Sequence, residues 1–190
     1  MMRVIKKIFL VCCASLLMLS FLAGCGQPSD STASNGSSPS EAVDVSIDDI
    51  LAAVKEAYGE NYLPDTEMPE EMLAAEFPID SSLVEEMKAE CSMIGFHPDR
   101  VVIIKAREGK GGEVKKLLEQ IKEDKIENEI QYPANLAKVM SAQVVQQGDY
   151  AAFLLVGAVD ENMDASQEEA VKFAQKEVQK AVDAFYLMFE

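Results

Sequence analysis

Residues 87–106 read MKAECSMIGFHPDRVVIIKA, two apolar-rich runs joined by the connector His97-Pro98-Asp99-Arg100. The first run, Met87 to Phe96, places Ala89, Cys91 and Met93 on one side, which is the two-residue period of a strand. The second, Val101 to Ala106, is more apolar and rich in β-branched residues, and predicts another strand. A short link between two such runs predicts an antiparallel pair.

Working outward from this pair, Glu108-Gly109-Lys110-Gly111-Gly112 reads as a turn. Val114, Leu117, Leu118, Ile121 and Ile126 then mark an amphipathic helix. Pro133 opens a short helix carrying Leu136, Val139 and Met140. Gln143 to Gln146 and Tyr150 to Val159 form a hairpin about Gln147-Gly148-Asp149. A last helix starts near Ser166, with Glu169 completing a capping box, and runs through Val171, Ala174, Val178, Val182 and Phe185. Upstream, Ser46 is a helix N-cap, with Asp48 and Asp49 in the first turn. Ile47, Ile50, Leu51, Val54 and Tyr58 share one face of that helix, and Gly59 stops it. Pro69 sits at the first position of a further short helix, Glu70 to Glu76. The order strand-strand-helix, repeated twice, predicts an α+β domain over residues 45–190. It has a four-stranded antiparallel sheet with helices packed on one face, preceded by N-terminal helices.

The N-terminal segment has another purpose. Arg3, Lys6 and Lys7 precede the apolar run Ile8 to Ala23, the pattern of an export signal. As a helix that run reaches only about 24 Å, short of the ~30 Å hydrocarbon core. It ends in Leu22-Ala23-Gly24-Cys25, which resembles a bacterial lipobox. Residues 1–24 are then a lipoprotein signal peptide, and Cys25 is the lipidated first residue of the mature chain. Two acyl chains, at ~0.8 kcal/mol per buried CH₂, anchor a domain stably. Residues 25–44 hold the lipidated cysteine and a flexible Ser/Gly/Pro-rich tether, GQPSDSTASNGSSPS at its core, with a reach on the order of 20 Å. The expected location is the outer face of the bacterial cytoplasmic membrane, with an outer membrane as the alternative.

The lipobox, the tether and the stretch Asp99 to Glu113 resemble the bacterial lipoproteins that carry the domain of unknown function 4358. So does the stretch from Tyr132-Pro133 through Val144-Val145 and Gly148-Asp149-Tyr150 into the following strand. The resemblance covers roughly residues 45–160. It implies an exported lipoprotein of a family common in Gram-positive bacteria. It carries no established activity and no catalytic residues.

Composition narrows the function. Seventeen Lys and Arg stand against 33 Asp and Glu, for a formal charge of −16. Such a surface is repelled by phosphate backbones and anionic headgroups, so no nucleic-acid partner is expected. Cys91 is the one thiol beyond Cys25, and His97 is the one histidine. Six residues apart on a strand they lie about 20 Å from each other, too far for a catalytic dyad. Zinc needs more ligands than this. Asp160, Asn162 and Asp164 match positions 1, 3 and 5 of a calcium loop, but Ala165 replaces the turn glycine and Val171 the closing glutamate. An acidic loop is the plainer reading, and no cofactor is expected. Gly109-Lys110-Gly111-Gly112 lacks P-loop spacing and reads as a turn.

The run Phe185, Tyr186, Leu187, Met188 and Phe189 cannot all face one side of a helix. Packing within the domain is the default, and an envelope protein or a second copy is the alternative. The sequence therefore predicts a membrane-anchored extracytoplasmic lipoprotein that is a non-catalytic binding or protein-interaction module. The alternatives are a cell-envelope enzyme using acidic residues and a lipoprotein that binds a small ligand or calcium.

Overall fold

Val101, Val102, Ile103 and Ile104 follow one another in a single strand, and none of the four is exposed to solvent. A strand that is apolar at every position must be covered on both faces. The fold answers that demand. The computed structural model describes residues 44–93, 97–128, 131–162 and 164–190. Its strands are β1 (Thr66–Glu67), β2 (Val84–Cys91), β3 (Arg100–Ala106), β4 (Gln143–Gln147) and β5 (Tyr150–Leu155). They form one sheet in the order β1-β2-β3-β5-β4, with every neighbouring pair antiparallel.

The helices are α1 (Ile47–Tyr58), α2 (Glu70–Glu76), α3 (Gly111–Asn128), α4 (Pro133–Met140) and α5 (Gln167–Leu187). On one face of the sheet, Ile50, Val54 and Tyr58 of α1 and Val178, Ala181 and Phe185 of α5 pack on Val101, Ile103, Ala152 and Leu154. On the other, Val114 and Leu118 of α3, Val139 of α4 and Phe77 after α2 pack on Val102, Ile104, Ala151 and Phe153. The described residues belong to one compact unit.

The expectation of four strands with helices on one face is therefore corrected twice. The sheet has five strands, because β1 adds itself to the edge of β2 through Thr66↔Cys91 and Glu67↔Glu90. Two residues between Pro64 and Pro69 are too few to show a period in sequence. The helices cover both faces, and the unbroken apolar runs of β3 and β5 are the reason.

Strand ends also shift. β2 stops at Cys91 rather than Phe96, because its last partner, Arg100, is the first residue of β3; Ile94 to Phe96 lie outside the described residues. β5 ends at Leu155, short of Val159. Pro69 is the N-cap of α2 rather than its first residue. The caps of α1 and α5 fall where expected. The Ser46 side chain accepts from the Asp48 N–H, and Ser166 and Glu169 form a reciprocal box. The expected signal peptide over residues 1–24, Cys25 and the expected tether lie outside the described residues, apart from Asp44.

Candidate functional site

Beyond the end of β5, residues 156–162 lead away from the sheet, and a cleft opens between α4 and α5. The α4 wall is Tyr132, Pro133, Leu136, Ala137 and Lys138, and the opposite wall is Ala158, Val159, Asp160, Asn162, Ala165, Gln167, Ala170 and Ala174. Between them is a cleft of about 690 Å³, within the range of small-molecule sites. Alanines along the α5 side keep it open, since a larger side chain would fill it. Tyr132, at the N-cap of α4, is 52% exposed, and within the helix Leu136 and Met140 lie four residues apart and stay 40% and 44% exposed. Helical spacing puts them on one face, and the core takes Val139 instead.

Lys138 is the polar group at the base. Its Nζ donates to both carboxylate oxygens of Asp99, at 2.6 and 2.7 Å, and both side chains are almost wholly buried. Burial drives the Asp99 carboxyl up from its ordinary range, and the ammonium of Lys138 opposes that. His97 places Nδ1 3.9 Å from Asp99 Oδ1, and that nitrogen is buried without a hydrogen bond. Next along the chain, Arg100 makes a two-pronged contact with Glu76 (Nε to Oε2 and Nη2 to Oε1, both 3.0 Å), and Lys125 adds a third bond at 2.8 Å. Burial alone would raise the Glu76 carboxyl, but the bonds from Arg100 and Lys125 hold it below its usual range. These contacts pin α2 and α3 to the start of β3.

A smaller hollow of about 330 Å³ between α1 and β2 has charges of both signs. Lys55 binds Glu90 Oε1 at 2.7 Å there and Lys88 binds Asp48, so both of its cations are already paired, while Glu90 Oε2 is buried without a hydrogen bond.

Of the residues singled out in sequence, Asp160 and Asn162 stand in the wall of the cleft. Their side-chain oxygens accept the backbone N–H groups of Asn162 and Asp164, at 2.9 and 3.1 Å. Among the described residues no group of three or more His, Cys, Asp or Glu side chains could hold a metal ion. Cys91 is fully buried, and burial pushes its thiol up, away from reactivity. The glycine turn before α3 is filled from within: Asp149 accepts from the Gly109 and Gly111 N–H groups, at 3.0 and 3.1 Å. A carboxylate of the chain thus takes the place an external anion would need.

The C-terminal run divides. Phe185 is in the core, Met188 and Phe189 pack against it, and the Phe189 ring lies 5.2 Å from that of Tyr150. Tyr186 and Leu187 remain exposed.

Sequence reading missed Lys138, Asp99 and Glu76, whose partners lie 24 to 49 residues away. The short helix carrying Leu136, Val139 and Met140 was visible, but nothing in the sequence said which of the three is left exposed. Among the described residues no helix is long and apolar enough to cross a membrane.

The family described as Domain of unknown function (DUF4358) matches residues 57–156. The match takes in the whole sheet and α4, and ends before the loop and helix that form the second wall of the cleft. No curated protein and no solved structure matches the chain.

Proposed function

The chain belongs to the DUF4358 family, and from that premise we propose that it is a lipid-anchored extracytoplasmic binding module, with its ligand held between α4 and α5. The observation that carries this reading is the 690 Å³ cleft, whose walls are mostly apolar although the chain around it is strongly acidic. A pocket that buries apolar surface of a ligand, with a few polar groups at its edge, is built for binding. Chemistry on acidic residues needs two carboxylates set to different protonation states in one cleft. Asp160 is the one carboxylate among the described residues that line this one. Binding is the better supported of the two.

Anchoring rests on Leu22-Ala23-Gly24-Cys25 after a basic and apolar leader. The Ser/Gly/Pro-rich composition of residues 26–40 suits a tether between such an anchor and the domain. Tyr186 and Leu187 offer a second contact surface, for an envelope protein or another copy of the chain.

Replacing Cys25 by Ala tests the anchor. Metabolic labelling with an alkyne fatty acid should fail for Cys25→Ala, and uncleaved precursor should accumulate. Normal processing of that variant would leave an ordinary secreted protein.

A further inference from the structure

We infer that the cleft between α4 and α5 takes a small organic cation with an apolar body, an aryl- or alkylamine. The inference rests on the cleft being a binding site and adds the charge of what it binds. Its volume suits a small molecule, and Leu136, Ala137, Val159 and Ala170 offer an apolar surface for the body.

The charge follows from the rim. From Ala158 to Glu169 the chain has five carboxylates and neither Lys nor Arg. Lys138 is the one cation among the described lining residues, and both oxygens of Asp99 neutralise it. Helix ends do not reverse the sign. α4 opens on Pro133, which has no N–H to offer an anion. At the start of α5, Ser166 accepts from the Glu169 N–H while the Glu169 carboxylate accepts from the Ser166 N–H. Glu168 in that first turn is offset by Lys172, 2.6 Å away, so the negative charge of the loop comes from Asp160, Glu161 and Asp164 together with Glu169. The cleft mouth is therefore negative, with Asp160 in its wall. An incoming ammonium is drawn to this field and a carboxylate is repelled by it.

The test uses the full chain in phosphatidylcholine nanodiscs, with empty nanodiscs as baseline. Calorimetry compares 4-phenylbutylamine, 4-phenylbutanol and 4-phenylbutanoate, which share a body and differ in charge. The amine should bind about tenfold more tightly than the carboxylate, with the alcohol between them. Ala170→Leu, which fills the cleft on a half-buried helical position, should abolish binding of all three. Asp160→Asn should narrow the ratio between amine and carboxylate.

Equal affinities that Ala170→Leu still abolishes would keep the cleft as the site and overturn its preference for cations. Binding that survives Ala170→Leu, or no binding of any probe, would overturn the cleft as a small-molecule site. A chemically crosslinked dimer lost in Ala170→Leu would put a second copy of the chain there and overturn the inference too.

Discussion

Lys138 sits at the end of a short helix, 3% exposed, where an unpaired ammonium could not stay charged. Asp99 makes the position tolerable, and the two are held by geometry rather than by net electrostatic gain. Removing one partner leaves the other buried and alone. Lys138→Met or Asp99→Asn should each cost about 3–5 kcal/mol in urea unfolding, and the double variant should lose clearly less than the sum. Additive losses would mean that the contact contributes no coupling. Nothing in the sequence around Asp99 announced this pair. His97-Pro98-Asp99-Arg100 read as a polar connector, as such strings usually are, and only the return of the chain 39 residues later buries its carboxylate. Residue chemistry was legible where partners are local, as at Ser46 and Ser166, and opaque where they are distant.

Two adjacent glycines show how an element is set by its neighbours. A Cβ on Gly111 would come 2.2 Å from the Gly148 carbonyl oxygen, whereas one on Gly112 would meet nothing within 4 Å. The start of α3 lies directly against the β4–β5 turn, and Asp149 fastens it there. Gly111→Ala should therefore destabilise by about 1–3 kcal/mol, since backbone must move. Gly112→Ala should stabilise by up to about 1 kcal/mol, since alanine favours the helix and restricts the unfolded chain. Thermal melts of the two variants check both signs; a shared sign would mean that the hairpin does not touch this turn. The sequence showed Gly109-Lys110-Gly111-Gly112 as a turn but could not tell these glycines apart. Elements with a long period, α1 and α5 above all, were legible together with their caps. β1 was not, and neither was the cleft, because a wall is made by two elements and periodicity describes one.

At the scale of the molecule, β3 and β5 join the two helical layers. Val101 and Ile103 belong to the core under α1 and α5, while Val102 and Ile104 belong to the core under α3. Peeling α1 and α5 away would expose Val101, Ile103 and Leu154 together with the apolar faces of both helices. At roughly 1.5–3 kcal/mol for each large side chain, that loss rivals the whole stability of a domain, about 5–15 kcal/mol. Neither layer can leave while the other stays folded, so unfolding should be a single transition. The chain has no tryptophan, which allows one reporter per layer. Met188→Trp reports the α1–α5 side and Met72→Trp the α2–α3 side, each at a partly buried methionine. Their urea midpoints, each corrected for the stability change of its own variant measured by circular dichroism, should coincide with the loss of helix. A tryptophan signal that leads the circular dichroism on one side would show that layer opening first. The cleft bears on that outcome, because α4 belongs to one layer and α5 to the other. A single transition keeps its walls at a fixed distance until the whole sheet fails, and a ligand held between them then stabilises both layers at once.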